Sequence, residues 1–191
     1  MAKRKVSGVA RVYIRTTPFE VEKEQIFPQS RQAEISACSS EKVRLEKYYV
    51  WKLLEVAISD YLGIDITEVN FDKVGRKWIC DKCYFSLSHS NNVVAVGISK
   101  YPIGVDIQIK HDIRDISSKI ITCPEEKGDL LELWSMKEAI FKASNQEDFV
   151  PANINTIGED VCCETLMIDG SEYVLSVASR NRAYKQIRWD I

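Results

Sequence analysis

Charge of one sign is what this chain most plainly lacks. Its 26 Lys and Arg residues nearly balance 28 Asp and Glu residues, for a formal net charge of −2. That balance leaves no overall footprint for nucleic acid or for a membrane surface. A basic start, Lys3-Arg4-Lys5 with Arg11 and Arg15, is local. No apolar h-region follows it, so no secretory signal is expected. Long apolar runs are also missing, and none approaches membrane-spanning length. The expected compartment is the cytoplasm. Glycine and proline are few, at 8 and 5 residues, and with 45% hydrophobic and 28% charged residues the composition is that of an ordinary globular protein. The 191 residues suffice for one large domain or two small halves around a sizeable core.

Six cysteines are present. Cys80-x-x-Cys83 and the adjacent Cys162-Cys163 do not have zinc-ribbon spacing, because nothing separates the second pair. They read as reduced thiols used as small hydrophobes, and a disulfide is disfavoured in a cytoplasmic protein.

Periodicity supplies the elements. Val9 to Ile14 alternates as a strand, and the polar stretch around Gln29 to Ile35 reads as a helix or turn. Glu41 to Leu62 carries the clearest helical stripe, with Ser39 or Ser40 to cap its start and Gly63 to stop it. A loop with Gly75-Arg76-Lys77 follows. Tyr84 to Ser99 reads as a β-hairpin turning at Asn91-Asn92, with His89 near the turn. Ile103 to Ile109 is a short strand that places Asp106 and Gln108 together on one face. A short helix is expected near 115–121, then a helix from Asp129 to Lys142. Two strands joined at Asp169-Gly170 and a short strand from Gln186 to Ile191 complete the order. The same sequence of elements occurs twice, over 1–99 and 100–191, as a quasi-repeat.

The 129–142 helix is apolar almost all the way round, which marks it as buried. Glu138 and Lys142 nevertheless sit four residues apart on one side. An internal salt bridge is the default explanation for such a pair in an isolated helix. Asp106 and Gln108 on an apolar strand and His89 at a turn add oxygen and nitrogen groups that also do not fit their settings. Three oxygen ligands suit a hard cation such as Mg²⁺, and a lysine with a histidine suits a polyphosphate. The physical reading is metal-assisted chemistry at a phosphate.

The stretches FSLSHS, PIGVDIQ and LWSMKEAIFKA resemble, in order and spacing, three signatures of the 4′-phosphopantetheinyl transferase superfamily. The resemblance is closest to its Sfp-type, single-chain branch and runs from about Gly75 to Lys142. It implies an α/β (α+β) fold of two similar halves packed as a pseudo-dimer, here 1–99 and 100–191, with coenzyme A between them. It also implies transfer of the phosphopantetheine arm of coenzyme A to a serine of an apo acyl or peptidyl carrier protein, by a monomer using Mg²⁺ or Mn²⁺. Asp106, Glu138 and Gln108 match the metal positions, and Glu138 is also the candidate general base. Lys142 and His89 match groups at the coenzyme A phosphates, with Ser88 beside them. Arg76 lies at a turn lining the nucleotide pocket. Lys47 falls near a basic residue for the 3′-phosphate, with Arg31 as a further candidate.

Three departures qualify the resemblance. Gln108 stands where many members carry an acid, Lys77 where a proline is usual, and residues 143–149 lack the usual glycines. They motivate an alternative: a weak or inactive relative that binds coenzyme A or a carrier protein.

Overall fold

The computed structural model describes residues 9–18, 26–75, 77–110, 126 and 128–179, and the backbone of 185–189. Arg76 and the helix expected near 115–121 lie outside the described residues.

One four-stranded sheet contains β1 (Ala10–Thr16), β4 (Tyr84–Ser90), β5 (Val93–Ser99) and β9 (Lys185–Trp189), in the order β4-β5-β1-β9. A three-stranded sheet holds β6 (Ile103–Ile109), β7 (Val161–Ile168) and β8 (Ser171–Ser179), in the order β6-β8-β7. The two sheets share a connectivity. In each, a leading strand pairs antiparallel with the second strand of a later hairpin, β1 with β5 and β6 with β8. β9 lies parallel to β1 on the first sheet.

Alternation along the strands builds the layers. Ala10, Val12 and Ile14 of β1 meet Val105 and Ile107 of β6 and Leu175 and Val177 of β8 in a core between the sheets. Tyr13 and, on β5, Val94, Val96 and Ile98 face the other way, against α2 (Glu41–Leu62). The opposite face of the second sheet carries α3 (Leu130–Ala143), where Ala139 and Ala143 pack on Ala178. The layer order is helix, sheet, sheet, helix.

α2 has the bounds that its stripe predicts. The Ser40 hydroxyl accepts from Val43 N, and Gly63 closes the helix at φ 72°, a conformation open to glycine without a Cβ clash. Trp51, Leu53, Leu54 and Ile58 are fully buried on it, each contributing about 1.5–3 kcal/mol of apolar transfer. α1 (Gln29–Ser36) precedes it. Asn91 and Asn92 both take positive φ at the β4–β5 turn, as the hairpin reading requires.

The structure differs from the sequence reading over 71–80. This is a hairpin of β2 (Phe71–Val74) and β3 (Lys77–Cys80), turning at Gly75 with φ 60°. Four residues a side are too short for alternation to show, and half of the faces they present are exposed.

β4 and β6 are edge strands of different sheets, and a ladder of serines joins them. The hydroxyls of Ser86, Ser88 and Ser90 accept from the backbone N–H of Val105, Ile107 and Ile109 at 3.0, 3.1 and 3.0 Å. Each bond satisfies a buried or half-buried donor that an edge strand would otherwise leave unpaired.

Candidate active site

Gly104 sets how close α3 comes to β6. A Cβ there would lie 1.9 Å from Ala139 O and 2.7 Å from Ala143 N, so only glycine admits the helix at this distance. Two residues on, with the same orientation, Asp106 projects toward the helix. Its side chain is essentially unexposed, and it is met by the lysine and glutamate of α3.

Lys142 Nζ lies 2.7 Å from Asp106 Oδ1 and 3.5 Å from Glu138 Oε2. The i,i+4 pair expected from the helix alone therefore exists, but the shorter partner of Lys142 is on the neighbouring strand. Ser88 Oγ donates to Asp106 Oδ1 at 2.9 Å, and Gln108 Nε2 donates to Oδ2 at 3.0 Å. Ser88 is itself buried and receives Lys142 Nζ at 3.2 Å, so its hydroxyl serves the carboxylate and the ladder at once.

Charge sorts the two acids. Burial pushes Asp106 up, but the Lys142 charge and hydrogen bonds from Glu138, Lys142 and Gln108 hold it below its ordinary value. Burial and the neighbouring Asp106 charge push Glu138 up to about 7, against the pull of Lys142. Glu138 is thus the acid of the pair that keeps its proton longer as pH rises, and in that form donates to Asp106.

Could these residues hold a cation? The donors are all oxygen: two carboxylates and, with its amide turned, Gln108 Oε1. Two acids forced close enough to share a proton make a donor set that suits a hard divalent ion. Among the described residues no group of three or more His, Cys, Asp and Glu gathers, so the side chains here that could serve a cation are two acids and an amide.

Lys142 also lines a cavity of about 430 Å³ together with His89, Lys47 and Arg31. Four of the residues expected at the site thus converge on one space. His89 does not touch the carboxylates. Its Nδ1 lies 3.0 Å from Glu46 Oε2 of α2, and this hydrogen bond, against the opposing effect of burial, holds the buried Glu46 below its ordinary value.

Another part of the cavity lining is organised by a residue that sequence reasoning missed. The Glu34 carboxylate of α1 collects Arg31 at 3.2 Å, Lys47 at 3.3 Å, Lys73 at 3.1 Å and the Trp78 indole N–H at 3.1 Å. Burial opposes ionisation there, but the bond from Lys73, the Arg31 charge and bonds from Lys47 and Trp78 pull it down to about 2. Arg31 is nearly buried, its guanidinium 4.8 Å from the Trp51 ring centre and bonded to Lys47 O at 3.1 Å. Nothing local in the sequence marks Glu34, because its partners come from α1, α2, β2 and β3.

Two other lysines have contacts that the sequence reading did not assign. Lys77 donates to Phe141 O at 3.2 Å and Ser144 O at 2.7 Å, satisfying carbonyls at the end of α3. Its ammonium stands 4.6 Å from the Phe141 ring centre. The missing proline and the glycine-free loop are therefore in contact, the lysine closing the helix that the loop leaves. Phe149 in that loop packs on Trp134 and Phe141. Lys137, wholly buried, is held by Glu126 at 2.9 Å and by the carbonyls of Pro151 and Ile154. A lysine inside an apolar helix was the available signal.

Cys162 packs in the core between the sheets, whereas Cys80 and Cys83 pack beside α2. The four thiols do not form one site.

No family model matches the chain. The 4′-phosphopantetheinyl transferase gsp of Aneurinibacillus migulanus is 26% identical to it over 94 residues, covering 43% of this chain. The chain spans about 40% of that relative's length. No helix among the described residues is long and apolar enough to cross a membrane. The chain is thus similar over part of its length to a 4′-phosphopantetheinyl transferase, and its architecture is mixed α/β with antiparallel sheets.

Proposed function

We propose that the chain is an Sfp-type 4′-phosphopantetheinyl transferase, moving the phosphopantetheine arm of coenzyme A to the serine of an apo acyl or peptidyl carrier protein. The observation that carries this reading is the convergence of Asp106, Glu138 and Lys142 beside a cavity that also gathers His89, Lys47 and Arg31. The shared connectivity of the two sheets supports two similar halves, 1–99 and 100–191, acting as a pseudo-dimer within a monomer.

Asp106, Glu138 and the Gln108 amide would hold Mg²⁺, or Mn²⁺ in its place. The cation supplies positive charge at the pyrophosphate during displacement. Lys142 binds a phosphate oxygen from the cavity side and stabilises the charge left on the departing group. His89, oriented by Glu46, donates a hydrogen bond to a second phosphate oxygen. Glu138 takes the proton of the carrier serine hydroxyl, and a carboxyl poised near 7 suits a group that must accept a proton at neutral pH. Lys47 and Arg31 hold a distal phosphate at the other end. The reaction gains most of its rate from positioning and charge stabilisation.

Incubation with coenzyme A, Mg²⁺ and a panel of apo carrier proteins tests this by mass spectrometry. One carrier should gain one phosphopantetheine arm. A folded protein that binds coenzyme A and modifies none of them contradicts the transfer reading.

A second reading, a coenzyme A- or carrier-binding module without chemistry, draws on the way Asp106 is already engaged on both oxygens by Lys142, Ser88 and Gln108. Tight coenzyme A binding that ignores Mg²⁺ and is unchanged in Glu138→Gln would favour it.

A further inference from the structure

Cys80 and Cys83 take no part in the site described above, yet the chain holds them with care. Cys80 ends β3, Cys83 immediately precedes β4, and their sulfurs are 3.6 Å apart. The turn between them is fastened to Asn70. Asn70 N and Nδ2 donate to the two Asp81 carboxylate oxygens at 3.0 Å each, and Asp81 N donates to Asn70 O at 3.3 Å. The two thiols are therefore pre-arranged by a clamped turn. Both are half-buried, within reach of a small solute.

We propose that Cys80 and Cys83 form a reversible thiol–disulfide site whose co-reactant is a low-molecular-weight disulfide, with Cys80 as the attacking sulfur and Cys83 as the resolving one. The Cys80 thiolate attacks one sulfur of the small disulfide, forming a mixed disulfide and releasing one thiolate. Cys83 then loses its proton to solvent and attacks Cys80 Sγ, displacing the second small thiolate. Two protein thiols are oxidised to one disulfide, and one small disulfide is reduced to two thiols.

The roles follow from the surroundings. A Cys80 thiolate accepts the Cys83 S–H and the backbone N–H groups of Lys82 and Cys83, and Cys80 is held down at about 6 against the effect of burial. Cys83, which would have to ionise beside that thiolate and in a half-buried place, is pushed well up. The other described cysteines are differently placed. Cys38 donates to Glu34 O, and burial pushes Cys163 up to about 11. Cys162 and Cys163 are successive in β7, so their side chains point to opposite faces of the sheet. A metal site at the pair is short of ligands, since the Asp81 carboxylate is spent on Asn70 and no cluster of three His, Cys, Asp and Glu occurs among the described residues.

Oxidation would be felt at the cavity. Trp78 lies two residues before Cys80 and Phe85 two residues after Cys83, and both line it. A disulfide draws the ends of β3 and β4 together and fixes the aromatic wall between them.

Peptide mapping by mass spectrometry across mixtures of reduced and oxidised glutathione tests the site. The peptide carrying 80–83 should lose two hydrogens in oxidised glutathione and regain them in reduced glutathione, with a matching shift in tryptophan emission. Cys83→Ser should accumulate glutathione on Cys80, while Cys80→Ser should leave Cys83 unmodified. In the unaltered chain the rate of iodoacetamide alkylation at Cys80 should rise with pH to a plateau with its midpoint near 6, well below the value of about 8.5 for an unperturbed cysteine. The inference is overturned if the peptide stays a dithiol throughout, if Cys83 is the sulfur that carries glutathione, or if zinc stays bound stoichiometrically to the pair after dialysis. Should either variant fail to fold, the alkylation profile decides, and a Cys80 midpoint at or above about 8.5 refutes it.

Discussion

Glu34 and Glu138 are the same residue type, each with a lysine in reach that lines the same cavity, Lys47 for the first and Lys142 for the second. Their carboxyls are nevertheless held at about 2 and about 7. The difference is in the company each keeps. Glu34 is a lone anion among Arg31, Lys47, Lys73 and the Trp78 N–H. Glu138 shares one lysine with a second acid, Asp106, which is more deeply buried and takes the closer contact. The first carboxylate stands in a surplus of cations, whereas the second shares its one lysine with another acid. Under the proposed function, a distal phosphate would complement the first group and a divalent cation the second.

The largest break in that comparison is chemical. Glu138→Gln should lower transfer to a carrier protein by about 10²–10⁴, the usual worth of a positioned general base, while Glu34→Gln should change the rate by less than about tenfold, acting on binding alone. Rates of carrier mass gain for the two variants, side by side, check this.

Next in size is stability. Asp106→Ala removes the acceptor that Lys142, Gln108 and Ser88 share. It should cost about 3 kcal/mol, the range for breaking a buried ion pair, read as a lower urea midpoint at constant slope. Glu138→Gln should not destabilise the cation-free protein at pH 8, because it removes the acid that resists ionisation.

The two glutamates should also bend stability with pH in opposite directions. Glu34 is depressed in the folded state, so its contribution is present above the unfolded value near 4.5 and is lost as pH falls toward 2. Glu138 is raised, so its contribution is present below about 4.5 and is lost as pH rises through about 7. Each slope should amount to something on the order of 2 kcal/mol after solvent screening at partly exposed groups. Urea unfolding from pH 2 to 8 should show a shallower acid-side slope in Glu34→Gln and a shallower neutral-side slope in Glu138→Gln, with Asp106 and Glu46 keeping part of the acid-side slope in both.

The smallest effect is at the ladder. Ser88→Ala removes a donor to Asp106 and leaves the Ile107 N–H without its acceptor. A loss of about 1–2 kcal/mol is expected, again from the urea midpoint. Ser90→Ala, whose hydroxyl serves Ile109 N and not Asp106, should match it in stability more nearly than in transfer rate.

Much of this was legible in the residues. The alternation of Ile103 to Ile109 put Asp106 and Gln108 on one face, and there they share a hydrogen bond. The stripe of Glu41 to Leu62 and its flanking Ser40 and Gly63 gave the ends of α2. Local patterns of this kind carry their own geometry. Glu34 was invisible because its meaning depends on four elements meeting. The serines at 86, 88 and 90 showed as a pattern, but their acceptor role depends on a strand of the other sheet. Glu126 and Lys137 are eleven residues apart in sequence, across a stretch with no clear period. What was lost, in each case, was a contact between elements and not an element.

The direct test of the contrast between the two acids is a carboxyl ¹³C titration by NMR with glutamate-labelled protein, in the absence and presence of Mg²⁺. Glu34 should titrate near 2 under both conditions. Glu138 should titrate near 7 without the cation and fall by more than a unit with it, as a bound divalent charge favours the ionised form. A Glu138 that titrates near 4.5 and does not respond to Mg²⁺ would contradict the assignment of this acid pair as a cation site.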